Sequence, residues 1–207
     1  PARRSPFAIF HGPHRKRVLQ LGLIWFLTYA CSNTAISFWK EFAVGDRGFT
    51  DGQVGASLTI AAVVSLPLVF GAGKLLDRIG RRKGAVVIFL TTIVGVWLAY
   101  TLEGRWALTG ALTLGVFGVS AVLPVLNAFN TELFPTETRG EAFAWTNNLL
   151  GRPGYVLAPL AVGYVAETHG WGPAVGPTVL GPLLALGLIL LWLPETAGKE
   201  LEETAGG

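Results

Sequence analysis

The sequence predicts an all-α membrane protein with six transmembrane helices, and two features carry that prediction. Hydrophobic residues make up 51% of the chain and charged residues only 14%, against about 25% charged in an ordinary soluble domain. The charges are also segregated, so that long stretches carry none. Each such stretch supplies the ~20 apolar residues that cross ~30 Å of hydrocarbon as a helix. A helix is expected because the backbone must satisfy its own hydrogen bonds in lipid.

The chain divides into a linker, a six-helix bundle and a tail. The linker is expected at 1–17, the bundle at 18–193 and the tail at 194–207. The six helices are predicted at about 18–39, 54–76, 85–102, 106–129, 142–166 and 173–193.

Local features support the individual helices in order. The first carries polar side chains from Thr28 to Ser37, which indicates a face toward water or protein. Thr50 and Asp51 are suitable N-cap residues for the second. The third and fourth are separated by a short turn at 103–105, and the fourth contains glycines that permit close helix contact. The fifth contains an arginine, whereas the sixth is uncharged.

The distribution of basic residues predicts the orientation. Twelve Lys and Arg residues fall on one side of the membrane and three on the other when the segments are taken alternately. The first set is Arg3, Arg4, Arg15, Lys16, Arg17, Lys74, Arg78, Arg81, Arg82, Lys83, Arg139 and Lys199, and the second is Lys40, Arg47 and Arg105. The positive-inside rule places the first side, with both termini, in the cytoplasm. The net charge of +3 therefore needs no nucleic-acid partner, and eleven Arg against five Lys favours a bacterial inner membrane.

Three segments carry recognisable motifs. They are GAGKLLDRIGRRKG at 71–84, ELFPTETRGEAFAWTNNLLGRPGYVLAP at 132–159 and PETAGKELEE at 194–203. In this order and at these spacings they resemble the loop, fifth-helix and tail motifs of the major facilitator superfamily, in its sugar-porter-like and metabolite:proton symporter branch. The resemblance covers the whole chain.

This resemblance implies the C-terminal half of a twelve-helix transporter, built from two inverted three-helix repeats. The expected partners are the lipid bilayer, a small-molecule substrate and a missing N-terminal six-helix half. A chain without methionine fits a fragment. The implied activity is secondary active transport by alternating access.

The resemblance also implies a charged gate network on the cytoplasmic side. Its members are Asp77, Arg78, Arg81, Arg82, Glu132 and Arg139. Partly desolvated Arg–carboxylate pairs stabilise one conformer and break in the other. Asp77 is expected to accept hydrogen bonds at a helix N-terminus. Gly73 and Gly80 are expected to permit close helix approach and a tight turn, respectively. The alternative is that these charges only set the orientation.

Arg152 is the sharpest candidate for a functional residue. An arginine at the bilayer centre costs at least about 2.5–3.5 kcal/mol unless it is paired or hydrated. Gly151, Pro153 and Gly154 around it favour a local break or hinge in the fifth helix. We expect a role in gating or in balancing the charge of a substrate. The alternative is an arginine near the inner interface that reaches the headgroups.

Other polar and aromatic residues could contact a substrate. These are Tyr29, Asn33, Trp39, Asn127, Asn147 and Asn148. The resemblance places the first and fourth helices on the cavity. The alternative for each residue is hydrogen bonding between helices, which is common in membranes.

The sequence offers no catalytic or metal site. It contains no H-E-x-x-H, Walker or G-x-S-x-G motif and only one cysteine, so neither an enzyme, a metal centre nor a cofactor is expected. We expect transport of an organic anion or metabolite, coupled to protons through a carboxylate of the missing half. The alternatives are a sugar porter, or a non-transporting six-helix sensor or assembly subunit.

Overall fold

The computed structural model describes residues 7–198, in which the regular elements are helices. Expectations that concern 1–6 and 199–207, including Arg3, Arg4 and Lys199, lie outside the described residues. A short 3-10 helix at Ala8–Phe10 comes first. It is followed by α1 (Arg15–Ser37), α2 (Trp39–Gly45), α3 (Asp51–Ile79), α4 (Arg81–Thr101), α5 (Arg105–Glu132), α6 (Arg139–His169) and α7 (Trp171–Trp192).

The described helices have the length and apolarity of a multi-pass membrane protein. Five of them could each cross a membrane, and α1 with α2, bent by 43°, forms a sixth candidate span. The predicted all-α membrane fold is therefore confirmed. The helices run past the uncharged stretches, because a helix can continue among the headgroups after it leaves the hydrocarbon.

The first helix differs most from its predicted bounds. It begins at Arg15, so part of the expected linker is helical, and it breaks at Phe38. The early start is stabilised by Arg17, whose Nη1 donates to the carbonyl oxygen of Trp192 at the end of α7, at 2.7 Å. The break gives the chain a short second helix, α2, and Trp39 therefore lies beyond α1.

The turns between the next helices follow the local sequence. Thr50 is the N-cap of α3: its side chain accepts from the backbone N–H of Gln53, and the Gln53 side chain accepts from the Thr50 N–H. Gly80 joins α3 to α4 with a φ of +93°, a conformation that favours glycine. The end of the bundle that carries the turn at 78–83 and the loop at 133–138 is called the basic end.

Small residues let α4 and α5 pack closely. A Cβ added at Gly95 would lie 2.5 Å from the backbone nitrogen of Gly115, and one at Gly118 would lie 2.6 Å from the Cα of Thr92. Gly73, in contrast, has open space where its Cβ would be, so it does not provide the close approach expected of it.

The fifth predicted helix, α6, is broken in its middle. Residues Ala144–Gly151 form a π-helix, and α-helix resumes at Pro153. The backbone N–H of Arg152 donates to the carbonyl oxygen of Asn147 at 3.0 Å, which closes the wider turn. Proline suits the restart because the first residues of a helix need no N–H partner inside it.

Two glycines bring this break against α1. A Cβ added at Gly151 would lie 2.6 Å from the Cβ of Trp25, and one at Gly154 would lie 2.5 Å from the carbonyl oxygen of Phe26. The two glycines that flank Arg152 therefore determine how closely α6 approaches α1.

We expect Gly95→Ala to destabilise the bundle, because the added methyl meets backbone that cannot yield. Overpacking of this kind costs about 1–3 kcal/mol and should lower the midpoint of thermal unfolding of the detergent-solubilised protein. Gly110→Ala is the matched control, because nothing lies within 4 Å of its added methyl. Equal midpoints for the two variants would contradict the packing described here.

Candidate functional site

A polar groove lies between α1, α5 and α6, and we call it the central groove. Its volume is about 270 Å³. Its lining residues are Ser32, Asn33, Ile36, Ser37, Val119, Ser120, Leu123 and Tyr155. Ser120 and Tyr155 lie in the middle of α5 and α6, so the groove reaches the middle of the bundle. Ser32, Asn33 and Ser37, from the polar stretch expected on the first helix, line this groove.

Hydrogen bonds and stacking fix the aromatic part of the groove. The rings of Tyr29 and Tyr155 stack with centroids 4.1 Å apart and planes 24° apart. Nδ2 of Asn147 donates to the Tyr29 hydroxyl at 2.8 Å, and Nδ2 of Asn33 donates to the Tyr155 carbonyl at 3.2 Å. Tyr29 is only 5% exposed, so it packs against Tyr155 from the interior of the bundle. Three sequence candidates, Tyr29, Asn33 and Asn147, are thus brought together by the fold.

Arg152 stands beside this aromatic pair. It lies near the middle of the 31-residue span Arg139–His169 and is exposed on the bundle surface. It precedes Tyr155 by three residues, so the two residues share a face of α6. Within 7–198 no side chain forms a hydrogen bond or ion pair with its guanidinium.

The remaining substrate candidates lie elsewhere. Trp39 is fully buried in the core and stacks edge-on against Phe49. Asn127 lines a second pocket, of about 480 Å³, near the basic end. Asn148 is exposed on α6 and does not line the central groove. The structure therefore does not place these three residues with the tyrosine pair.

Tyr155 and Ser120 are groove residues that the sequence prediction missed. Tyr155 could have been found, because it lies three residues after Arg152 and so shares its helix face. Ser120 is one of several hydroxyl residues of α5, with Thr109, Thr113 and Thr131, and nothing in the local sequence distinguishes it from them.

A charge network joins the helix ends at the basic end. Arg81 donates from Nε to Glu132 Oε1 at 3.0 Å and from Nη1 to Asp77 Oδ1 at 2.7 Å. Its Nη2 lies 2.9 Å from Glu132 Oε1. The Thr196 hydroxyl also donates to Glu132. The network therefore links the ends of α3, α4 and α5 to the segment after α7.

Glu195, rather than Asp77, occupies the N-terminus of α4. Its carboxylate accepts from the backbone N–H of Arg81 at 2.7 Å and of Arg82 at 3.0 Å. The N–H groups of Thr196 and Ala197 also donate to it. Partial burial alone would raise the pKa of Glu195, but these backbone donors outweigh it and lower the pKa below its ordinary value. The expectation for Asp77 was wrong, because the tail supplies the anion.

Three predicted gate residues lie outside these ion pairs. The Arg82 side chain donates to the carbonyl oxygen of Leu190 near the end of α7. Arg78 is exposed. Nε and Nη2 of Arg139 are buried and have no hydrogen-bond partner within the described part of the chain. Glu132 and Arg139, both expected in the gate network, do not form an ion pair with each other in the described part of the chain.

The helices and the central groove define a multi-pass membrane protein with a polar face inside its bundle. The family model of the Major Facilitator Superfamily matches residues 21–206. This chain belongs to that family, which confirms the resemblance seen in the three motifs.

Two curated relatives and one solved structure illustrate the family match. The chain is 27% identical to NiaP of Bacillus subtilis (strain 168), a candidate niacin/nicotinamide transporter, over 89% of the chain and 46% of the relative. It is 30% identical to the glucose transporter GlcP of Staphylococcus epidermidis (strain ATCC 12228 / FDA PCI 1200), over 87% of the chain and 42% of that relative. The crystal structure of tetrameric PepTSo2 aligns with a TM-score of 0.73 at 19% identity, over 87% of this chain and 41% of that one.

The chain spans less than half the length of these curated relatives. Their names describe transporters and not enzymes, which agrees with the expectation that the chain is not an enzyme. Among residues 7–198, no group of three or more His, Cys, Asp and Glu side chains could hold a metal ion.

We expect Glu195→Gln to weaken the basic end by about 1 kcal/mol at pH 7, because it removes the anion at the N-terminus of α4. Since the folded pKa of Glu195 lies below its ordinary value of 4.5, its stabilising effect is complete above that value. The effect is lost as the pH falls through the lowered pKa. The midpoint of thermal unfolding, measured at pH 7 and at pH 4, tests this. The difference in midpoint between wild type and variant should be smaller at pH 4 than at pH 7.

The control for this experiment is Glu167→Gln, an exposed glutamate in α6 outside the network. It should unfold like the wild type at both pH values. The capping role would be contradicted if wild type and Glu195→Gln had the same unfolding midpoint at pH 7, or if their midpoints differed more at pH 4 than at pH 7.

Proposed function

We propose that this chain is the C-terminal six-helix half of a secondary transporter that moves a small organic anion by alternating access. The observation that carries the proposal is Arg152, an exposed cation near the middle of α6 without a side-chain partner in 7–198, three residues before Tyr155 of the central groove. A positive charge is costly within a membrane, and an anionic substrate would offset that cost. The neutral hydroxyl and amide groups of the groove would orient the rest of the solute.

A second six-helix half would complete the site. Support comes from the lengths of the relatives, of which this chain spans less than half. The long helices α3 and α6 also keep large apolar surfaces exposed, including Phe70 at 75% and Leu160 at 67%. The coupling carboxylate for protons would belong to that half, because none of α1, α3, α5 or α6 carries an acidic residue in its middle.

We assign the basic end to the cytoplasm of a bacterial inner membrane, with both termini on that side. The twelve-to-three distribution of Lys and Arg supports this orientation. The pairs of Arg81 with Asp77 and Glu132, capped by Glu195, would then close the cytoplasmic side in one conformer. Opening would break or rearrange these pairs.

A sugar porter is the second candidate. One relative is named as a glucose transporter, and the hydroxyl and amide groups of Ser32, Asn33, Ser37 and Ser120 could bind sugar hydroxyls. This candidate gives Arg152 no role. If the chain were a non-transporting sensor or assembly subunit, neither the groove nor Arg152 would have a role.

We expect Arg152→Gln to reduce uptake of organic anions into proteoliposomes that contain the full-length protein by about tenfold or more, because the neutral side chain no longer offsets the substrate charge. Arg152→Lys should retain part of the uptake, since it keeps the charge but loses the planar donor set. Expression and folding should be unchanged in both variants.

Arg15→Gln is the charge-matched control, because Arg15 is exposed at the start of α1 and lies outside both the groove and the predicted gate network. Unchanged uptake in both Arg152 variants would remove this residue from the site. Strong glucose uptake that no organic anion inhibits would favour the sugar porter instead.

A further inference from the structure

The pocket of about 480 Å³ near the basic end, which we call the end pocket, is lined by hydrogen-bond donors. It lies between the last turns of α5 and the first turns of α6. Side chains that can donate line it, namely Asn127, Asn130, Thr131, Thr136 and Arg139. Within 7–198, no aspartate or glutamate is part of this lining. The end pocket therefore suits an acceptor-rich, negatively charged ligand better than a cation.

Asn130 brings a buried donor without an acceptor to the end pocket. The side chain is only 1% exposed, and its Oδ1 accepts from the Thr146 hydroxyl at 2.8 Å. Its Nδ2 has no hydrogen-bond partner within 7–198. A buried donor that is left unpaired is costly, so an acceptor in the pocket would stabilise this arrangement.

Arg139 brings an uncompensated positive charge to the same pocket. Its Nε and Nη2 are buried and have no partner in the described part of the chain. Glu132 is engaged by Arg81, whose Nη2 lies 2.9 Å from Glu132 Oε1. Glu137 and Glu141 are close to Arg139 in the sequence, but they do not line the pocket. A ligand in the end pocket would thus meet the guanidinium and no lining carboxylate.

The N-terminus of α6 adds backbone donors at this position. The helix begins at Arg139 and extends to His169, and the Thr138 side chain at its N-cap forms no capping hydrogen bond. The first N–H groups of a helix have no partner inside it, and they favour anions. Gly140 lines the pocket and has open space where its Cβ would be, so a ligand can approach the backbone there.

We propose that the end pocket is a binding site for a phosphate group, held by Arg139, Asn130 and the first turn of α6. A phosphate offers several strong acceptor oxygens, and a guanidinium can donate two parallel hydrogen bonds to it. The site goes beyond the proposed transport function, because the residues that line the end pocket and those that line the central groove are different. The phosphate group could belong to a soluble ion or to a lipid headgroup, and the experiment below distinguishes the two.

The probe is inorganic phosphate, added to the full-length protein in detergent at pH 7 and compared with potassium chloride at the same ionic strength. A ligand that binds only the folded state raises the midpoint of thermal unfolding. A phosphate concentration about five times its dissociation constant should raise the midpoint by about 2 °C, and the rise should saturate. Phosphate also stabilises proteins by exclusion from their surface. A rise that does not saturate and is equal in all variants would be that general effect and would overturn the proposal.

Substitutions at the end pocket separate a specific site from the general effect. Arg139→Gln should weaken phosphate binding by about tenfold or more, whereas Arg139→Lys should retain part of it. Asn130→Asp keeps the acceptor for the Thr146 hydroxyl but repels phosphate, so the saturable rise should be lost. Arg15→Gln is the control, because Arg15 is exposed and outside the pocket, and it should respond like the wild type.

A saturable rise of wild-type size in either Arg139→Gln or Asn130→Asp would overturn the proposal. If one of these variants does not fold, the other still decides.

The source of the phosphate group is decided with two further probes. Glycerol 3-phosphate is soluble, and phosphatidic acid presents the same group on a lipid in mixed micelles. Saturable rises with inorganic phosphate and glycerol 3-phosphate would support a soluble ligand, and a rise with phosphatidic acid alone would support a lipid headgroup. No saturable rise with any of the three would overturn the proposal. Uptake is not measured here, so failure of the proposed transport function would leave this result unchanged.

Discussion

The close contact between α1 and the broken helix α6 positions the groups that these two helices contribute to the central groove. Gly151 and Gly154 lack the side chains that would collide with Trp25 and Phe26, so the two helices approach closely at both positions. The same break opens a wide turn just before Arg152 and restarts the helix at Pro153. Any side chain at either glycine would separate the two helices and move the Tyr29–Tyr155 stack with them.

A second set of contacts fixes the basic end independently of the groove. Glu195 binds the N-terminus of α4, and Arg81 links Asp77 of α3 with Glu132 of α5. The segment after α7 thus returns to the start of α4, more than 100 residues earlier in the chain. Ion pairs and helix capping act here, whereas the groove depends on small residues and aromatic stacking. The contacts that shape the groove, in the middle of the bundle, are therefore separate from the contacts that join the helices at the basic end.

Composition and local chemistry are enough to predict the spans, the polar stretch of α1 and the unusual position of Arg152. The spans are predictable because charges are excluded from hydrocarbon, and Arg152 stands out because it violates that rule. Tyr155 is missed because an aromatic residue in an apolar helix is common, and only its stacking on Tyr29 distinguishes it. The role given to Asp77 belongs to Glu195, since a contact 114 residues apart leaves no local signal.

The central claim is that α1, α5 and α6 present a wet polar wall in the middle of the membrane. Single cysteines at Ser37 and Ser120, in a Cys31→Ala background, can be tested with a charged, membrane-impermeant thiol reagent applied to both sides of proteoliposomes. We expect both positions to react, and cysteines at Leu160 and Leu184, on exposed apolar surface, to remain unmodified. Groove cysteines as unreactive as the one at Leu184 would contradict the claim.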